Sequence, residues 1–384
     1  MKNLSLTLLL VLFFSSYGVA QVPGGVKGYN YWFSSEESRD TLKFKETDKL
    51  LNFRVVRKID NQYKFEKIIN EQDSEEATVF IVLKPAFPQE RSLIADFTVN
   101  DRKISIQSDR VQSKEELKIK SFISEKPFLV SYTEFIKSDS TKSHQEASSE
   151  REKGFEGEVA ELIYYPKFLS KVKRRKVETY LALKHGISLA PGADYINSAG
   201  DTIRKGNENE LYSNRVTAIG WDSGANFNNT QSSNVDDYPF LTIGFGEKIE
   251  EKNSKNPIAF SDRNYLIWSD NGRVTEFEIN PEKELLLLNR IWLAKKIGDA
   301  IHAKTITIRF DFSSSEGEKE EKENELFYWL LTAPGTEEIL DTYQADYRKA
   351  TRFSKETIEF SEIFLSEFDD TFLFTLAKAP EWFA

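Results

Sequence analysis

The densest group of charged side chains is a basic run of five cations within six positions: Lys171, Lys173, Arg174, Arg175 and Lys176. Lysine and arginine bind anionic groups, and arginine pairs with a carboxylate through two parallel hydrogen bonds. The run therefore predicts a basic surface that binds an acidic partner or an anionic glycan. The alternative is that these cations pair with acidic loops of the same protein, since exposed charge runs are commonly solvated faces.

Catalytic chemistry has little support in the sequence. The three histidines, His144, His185 and His302, are far apart in the chain, and none lies near a nucleophile motif, a metal-binding helix motif or a phosphate loop. The 62 acidic residues could include the two carboxylates of a glycosidase, but no closely spaced carboxylate pair on a strand marks one. We therefore expect that the protein is not an enzyme and has no catalytic residue. A polysaccharide-active enzyme is the alternative.

Two other groups of residues could bind ligands. Asparagine and aspartate cluster at positions 222–229, 234–237 and 262–271, and their oxygens suit calcium, although turns use the same residues. We expect these clusters to form turns, and calcium is the one cofactor that their oxygens suggest. Trp32 and Trp221, with their aromatic neighbours, could form a sugar-stacking platform, but in so aromatic a chain such residues usually belong to the core.

The basic run lies within a strand-helix segment, GFEGEVAELIYYPKFLSKVKRRKVETYLALKHGISL, residues 154–189. Its apolar run predicts a buried strand that Pro166 ends, because proline donates no ladder hydrogen bond. Ser170 is a favourable N-cap, preceded by Leu169 as a hydrophobic staple, and Gly186 is a favourable C-terminal residue. The pattern predicts a helix over 171–185, with Val177, Tyr180, Leu181 and Val172 on its apolar side.

Short strand patterns with turn residues flank this segment on both sides, which is typical of all-β sandwiches. We predict two β-sandwich domains joined by one short helix: residues 21–189, ending in the helix, and residues 190–384. The predicted strands are 29–33, 78–83, 92–99, 103–107, 117–123, 128–135, 202–205, 215–221, 240–245, 265–268, 291–294, 305–312, 326–331 and 372–376. The polar segments 137–153 and 313–325 are predicted surface loops.

The first residues and the composition indicate an exported protein. Residues 4–14 are almost unbroken apolar and follow Lys2, so residues 1–20 are predicted to be a cleavable signal peptide rather than a membrane span. The chain has no cysteine and a formal net charge of -10. Disulfides are thus excluded, and nucleic acid is disfavoured as a partner. No later segment is long and apolar enough to predict a transmembrane helix.

Several motifs resemble a known family arrangement. PGGVKGYNYWF, ATVFIVLKP and the 154–189 segment resemble the concanavalin A-like, laminin-G-like sandwich of surface proteins from Bacteroidota. NRVTAIGWDSGANFNNTQS, FLTIGFGE, YLIWSDNG, NRIWLAKKIG and FDDTFLFTLA resemble the domain of unknown function that usually follows it. The resemblance implies an envelope or surface protein, in many relatives exported by type IX secretion. No type IX sorting domain is recognised here, and the resemblance supplies no catalytic residues.

Together these observations predict a non-catalytic, exported interaction protein, a subunit of a bacterial envelope or cell-surface assembly linked to secretion or adhesion. Its expected partners are envelope or outer-membrane proteins. The expected location is the periplasm, the outer membrane or the cell surface. A carbohydrate-binding, lectin-like adhesin module is the alternative binding function.

Overall fold

The computed structural model describes residues 22–36, 49–59, 75–99, 102–113, 120–121, 124–135, 154–258, 261–280, 283, 285–313, 326–335, 340–354 and 356–381. The predicted signal peptide, the segment 137–153 with His144, and residues 314–325 of the charged insert lie outside these ranges.

The described residues of the first half form ten short strands. They are β1 (Tyr31–Ser34), β2 (Lys49–Leu51), β3 (Arg54–Ile59), β4 (Glu76–Pro85), β5 (Leu93–Val99), β6 (Arg102–Gln107), β7 (Arg110–Ser113), β8 (Lys120–Ser121), β9 (Phe128–Phe135) and β10 (Gly157–Tyr165). One antiparallel sheet has the order β2-β3-β10-β4-β9, with β1 also on β10, and β5-β6-β7-β8 form a second sheet. Val79, Ile81 and Leu162 of the first sheet pack against Ile104 and Ile106 of the second, which makes a sandwich.

The only α-helix among the described residues, α1, spans Lys171–His185, as predicted. Gly186 ends it in the left-handed conformation at φ 65°, and Leu169 is buried before its start. Two details of the prediction were wrong. Val172 is exposed rather than on the apolar side, as are Lys171 and Lys173 beside it in the first turn. Ser170 occupies the N-cap position, but its side chain makes no capping hydrogen bond.

Sixteen more strands lie in the part of the second half that the structure describes. They are β11 (Tyr195–Ile196), β12 (Thr202–Arg204), β13 (Asn214–Asp222), β14 (Phe227–Asn229), β15 (Gln231–Ser232), β16 (Leu241–Phe245), β17 (Asn264–Asp270), β18 (Phe277–Asn280), β19 (Leu285–Leu288), β20 (Trp292–Ile297), β21 (Thr305–Asp311), β22 (Leu326–Pro334), β23 (Asp346–Lys349), β24 (Arg352–Phe353), β25 (Thr357–Phe364) and β26 (Thr371–Pro380).

These strands form a second, larger sandwich. A nine-stranded sheet has the order β14-β13-β17-β20-β26-β19-β18, with β22 and β23 continuing from β26 on its other side, and a five-stranded sheet has the order β15-β16-β21-β25-β24. Trp268, Trp292 and Phe374 of the larger sheet pack against Ile308 and Phe360 of the smaller one. The all-β, sandwich-type fold class with one helix is therefore confirmed. Every pairing between these strands is antiparallel.

Most predicted strands are present, but the sequence missed several. β3, β19 and β25 carry less regular alternation or lie beside charged residues. Each pairs with the strand just before it and with one strand that is distant in the chain. The predicted strand 117–123 is described only at Lys120–Ser121, and its other residues lie outside the described ranges. Among the described residues, no helix combines the length and apolar character that crossing a bilayer requires.

A third apolar layer joins the two halves of the molecule. Helix α1 contributes Val177, Tyr180 and Leu181 to one core cluster, which also holds Phe80 of β4 and Ile267 of β17. Strands β4 and β10 thus bury one face in the first sandwich and the other face under the helix. Strands β13 and β17 do the same in the second half. The helix is packed between two sheets, so both halves share a core.

Candidate functional site

A carboxylate lies in the middle of this shared layer. Glu161 of β10 is fully buried, at 0% exposure, and is the only charged residue in the apolar run from Val159 to Tyr165. The register of β10 against β4 shifts between Val159 and Glu161. Such a bulge re-aims side chains locally, and here Glu161 lies on the face that meets the helix.

Four side chains contact the Glu161 carboxylate. Oε1 accepts hydrogen bonds from Trp32 Nε1 at 2.7 Å and from the Tyr180 hydroxyl at 2.6 Å. Oε2 lies 2.9 Å from His185 Nε2 and 3.1 Å from Lys184 Nζ. Lys184 also donates to the Tyr180 hydroxyl at 2.9 Å. Every lone-pair direction of the carboxylate is thus used, which is what a buried charge requires.

The electrostatics of this group favour an ionised Glu161. Burial raises the pKa of Glu161, but the positive charge of Lys184 and the hydrogen bonds from His185 and Tyr180 outweigh this effect. The pKa is therefore lowered to about 2. Burial lowers the pKa of His185, although Glu161 opposes that shift. A neutral His185 therefore donates from Nε2, which leaves Nδ1 as an acceptor, and no described residue bonds to Nδ1. The group is a carboxylate paired mainly with Lys184.

The polar group continues toward the second half through the end of the helix. Asn52, in the β2–β3 turn, donates from Nδ2 to the Lys184 carbonyl at 3.0 Å, and Asn229 of β14 donates to the Leu183 carbonyl at 3.0 Å. These bonds satisfy carbonyls that a helix C-terminus leaves free. Arg54 of β3 donates to Asn229 Oδ1 at 2.9 Å and pairs with Glu36 at 2.9 Å.

Asn52 has a second set of partners in the second half. Its Oδ1 accepts a hydrogen bond from the Ser233 backbone N–H at 2.8 Å, and its Nδ2 donates to the Ser232 hydroxyl at 3.0 Å. Asn52 itself is left-handed, at φ 47°, a conformation that asparagine tolerates better than most residues. A turn from the first sandwich is therefore bonded to both the helix and strand β15.

The chemistry available to this group is limited by access. Glu161, Lys184 and His185 are 0%, 2% and 1% exposed, so a substrate cannot reach the carboxylate or the imidazole in this conformation. The arrangement holds the two halves together, and its contribution is positional. The sequence interpretation missed it, although a lone glutamate in an apolar strand and an adjacent Lys-His pair were the available signals.

The predicted basic run divides into two parts. Arg174 donates to the Thr133 hydroxyl at 3.1 Å, Arg175 pairs with Glu178 at 3.3 Å, and Lys176 donates to the Ser198 carbonyl at 2.7 Å. All three are half-buried contacts within the protein. Lys171 and Lys173 remain exposed. The three central residues thus contact the protein itself, although only Arg175 pairs with an acidic residue and that residue is on the same helix rather than in a loop. Lys171 and Lys173 are the members of the run that are exposed for contact with a partner.

Exposed apolar side chains accompany these two lysines. Val172 is 53% exposed and Phe168 is 45% exposed, with the Arg174 guanidinium 5.8 Å from the centre of the Phe168 ring. We call Phe168, Lys171, Val172 and Lys173 the helix-start patch. Within the described part of the chain, neither lysine of this patch has an acidic partner.

The two predicted tryptophans do not form a platform. Trp32 lies in β1, packs edge-on against Tyr29 with ring centres 5.7 Å apart, and donates its N–H to Glu161. Trp221 lies near the end of β13, opposite Asn264 and Asn228 in the second half. Phe227, which is close to Trp221 in the sequence, is buried and stacks on Tyr265.

The asparagine and aspartate clusters are used within the fold. Asp222 accepts hydrogen bonds from the Ser198 backbone N–H at 2.8 Å and from the Tyr265 hydroxyl at 2.7 Å. Asp237 pairs with Arg290, and Asp270 pairs with Arg215. In the ranges that the structure describes, no group of three or more acidic or histidine side chains is arranged to hold a metal ion.

The comparison with known families gives one match. Residues 173–367 match the model of a domain of unknown function, DUF8202, which begins inside helix α1 and covers just over half of the chain. No curated protein and no solved structure matches this sequence.

Proposed function

The chain belongs to the DUF8202 family, and from this premise we propose that it is a non-catalytic, exported interaction protein. In this proposal it is a rigid subunit of an envelope or cell-surface assembly in a bacterium of the Bacteroidota. Its location is the periplasm, the outer membrane or the cell surface, and a concanavalin A-like, laminin-G-like sandwich forms its first half. The helix-start patch is its contact surface for an acidic partner protein.

The observation that carries the proposal is the burial of α1 between two sheets with only its first turn exposed. Eight of the last nine residues of the helix are buried, and five of them belong to the shared core, so the position of the first turn is determined by both sandwiches. A surface held this firmly loses little conformational entropy on binding, and preorganisation of this kind increases affinity.

The composition of the patch supports a partner that combines negative charge with an apolar contact. Lys171 and Lys173 lie in the first turn, where the helix dipole disfavours a positive charge by about 0.3 to 1 kcal/mol each. Lys173 stands where a glutamate would complete a capping box with Ser170. Local stability therefore does not account for these lysines, whereas an acidic partner does. Val172 and Phe168 add exposed apolar surface, and burying this surface against a partner would favour binding.

The test is a pull-down from detergent-solubilised membranes with the wild-type chain and the double variant Lys171→Glu/Lys173→Glu. The wild type should recover a stoichiometric envelope protein, and the double variant should lose it, because like charges then face each other across the contact. Both substitutions lie on exposed side chains and reverse an unfavourable dipole interaction, so the variant should fold.

The matched control is Lys248→Glu/Lys255→Glu, which reverses two exposed lysines, 63% and 56% exposed, elsewhere on the second half. It should retain the partner, which separates a local effect from the change in net charge. A wild-type chain that stays free in every membrane fraction, or a patch variant that binds as well as the control, would contradict the proposal.

A further inference from the structure

The nine-stranded sheet carries a cleft of about 170 Å³ on the face away from the five-stranded sheet. Its floor follows the strand register: Ile267 of β17 lies beside Lys295 of β20, and Lys295 lies beside Thr371 of β26. Ser269 and Leu293 form the next row. Arg204, Glu208, Asn209 and Gly335 form the walls. Apolar and polar side chains therefore meet in one small concave site.

The orientation of Arg204 is set by the protein backbone. This residue is buried, at 8% exposure. Its Nη2 donates to the Tyr212 carbonyl at 2.6 Å and to the Ser269 hydroxyl at 3.3 Å, and its Nη1 lies 3.4 Å from the Lys205 carbonyl. All these acceptors are neutral. These acceptors hold the guanidinium in place but do not balance its positive charge.

The nearest acid of the cleft has other partners. Glu208 pairs with Lys295 and accepts a hydrogen bond from the Lys205 backbone N–H at 3.2 Å. Within the described residues, no carboxylate lies at ion-pair distance from Arg204, and no acceptor bonds to its Nε. Burial lowers the pKa of Arg204, but a guanidinium remains charged at any physiological pH. The charge of Glu208 raises the pKa of Arg204 in part, but the hydrogen bonds of Glu208 go to Lys295 and to the Lys205 backbone. The buried guanidinium therefore has no directly paired counter-ion, which is costly unless a ligand supplies one.

The size and the shape of the cleft restrict that ligand. Sites that enclose a whole drug-sized molecule measure roughly 300 to 1,000 Å³, so this cleft fits one small group or the end of a chain. Ile267 and Leu293 provide an apolar surface at its base. A Cβ on Gly335 would lie 2.6 Å from the Thr371 carbonyl carbon, so this wall is close-packed and admits no side chain.

We propose that the cleft binds a carboxylate carried next to a small apolar group. The carboxylate pairs with the Arg204 charge through Nε, to which no described acceptor bonds, and Lys295, which also pairs with Glu208, adds a second positive charge. The apolar group lies on Ile267 and Leu293. Two sources have this chemistry, the C-terminal residue of a polypeptide and a free small carboxylic acid.

Isothermal titration calorimetry with the full chain tests the site. The probes are an acetylated Ala-Ala-Ala-Leu peptide with a free C-terminus, the same peptide as its C-terminal amide, and N-acetyl-leucine. The free acid peptide should bind about tenfold or more tightly than the amide, because the amide cannot pair with Arg204. If the peptide also exceeds N-acetyl-leucine by a similar factor, the natural source is a polypeptide end. Equal affinity of the two acids identifies a small acid.

Two variants assign the binding to the cleft. Arg204→Lys keeps a positive charge but loses the Nε donor and the bonds that orient it, and should weaken binding of the acid peptide about tenfold. Should this variant fail to fold, Lys295→Gln serves instead, since Lys295 is partly exposed and its loss leaves the sheet intact. The matched control is Lys349→Gln. Lys349 is a partly exposed lysine of β23 that pairs with Glu381, and this variant should bind like the wild type.

Equal binding of acid and amide, no heat with any probe, or a Lys295→Gln variant with wild-type affinity would overturn the proposal. The cleft and the helix-start patch share no residue. A pull-down that fails while the acid peptide binds therefore rejects only the proposed function, and the reverse result rejects only the carboxylate site.

Discussion

Glu161 and His185 meet inside the protein, with the carboxylate Oε2 2.9 Å from the imidazole Nε2. Glu161 belongs to the first sandwich, and His185 is the last residue of the helix that leads into the second. Because Asn52 and Asn229 bond to the last carbonyls of the same helix, this contact is the centre of a polar connection between the two halves. Its residues should therefore influence the stability of the whole molecule.

Removing the Glu161 charge should be strongly destabilising. Glu161→Gln leaves the buried Lys184 with only the more distant carboxylate of Glu36, 3.9 Å away, and breaking a buried pair in this way costs about 3 to 5 kcal/mol. Urea unfolding followed by tryptophan fluorescence measures the change. Glu158→Gln is the matched control on the same strand, since Glu158 pairs at 2.9 Å with the exposed Lys49, and it should cost less than about 1 kcal/mol. Equal midpoints for the two variants would show that the buried pair contributes little.

Acidification should destabilise the protein in two stages. The pKa of His185 is below its ordinary value of 6.5 in the fold, so the unfolded chain takes up this proton first and stability falls as pH drops below about 6.5. The pKa of Glu161 is about 2 against an ordinary 4.5. Its contribution is complete above 4.5 and is lost as pH falls toward 2.

Urea midpoints near pH 7, pH 5 and pH 3 measure this dependence. His185→Gln should remove the part of the slope between pH 7 and pH 5, because glutamine does not titrate, and should leave the more acidic part. A wild-type midpoint that is constant over the whole range would contradict both assignments.

The two sandwiches should unfold together. Multidomain chains often unfold in separate steps, but here the helix, Phe80 and Ile267 belong to one core cluster. Scanning calorimetry should therefore give a single transition whose calorimetric and van't Hoff enthalpies agree. Asn52→Gly tolerates the left-handed backbone but removes the side-chain bonds to the helix end and to Ser233, so it should broaden or split the peak. Two resolved peaks in the wild type would show that the halves are independent.

Lys173→Glu should stabilise the fold. A glutamate at the third helical position interacts favourably with the helix dipole and can bond to the Ser170 backbone N–H as in a capping box. The expected gain is about 0.5 to 1 kcal/mol in the free energy of unfolding. Lys173→Gln, which can form the same hydrogen bond without the charge, should give a smaller gain. A loss of stability with glutamate would mean that Lys173 has a structural contact.

The local sequence was sufficient for much of the fold. Gly186 ends a helix because glycine readily adopts the left-handed conformation, and Pro166 ends a strand because it lacks an N–H. The 171–185 helix and the strand before it could therefore be predicted. Alternation and turn residues likewise predicted strands such as Phe128–Phe135. These features depend on residues a few positions apart, which is the range over which propensity and capping act.

Tertiary structure decided which of the charges matter. Glu161 and Asn52 are separated in sequence from their partners by up to 181 positions, and no local pattern brings them together. The basic run was visible in the sequence, yet only packing shows that Arg174, Arg175 and Lys176 contact the protein while Lys171 and Lys173 face solvent. The role of Arg204 was likewise not predictable from the sequence. It lies in the short strand β12, and only the pairing of β17, β20 and β26 places a cleft beside it. Burial determines whether a charge is solvated, paired or left for a ligand, and burial is a property of the assembled sheets.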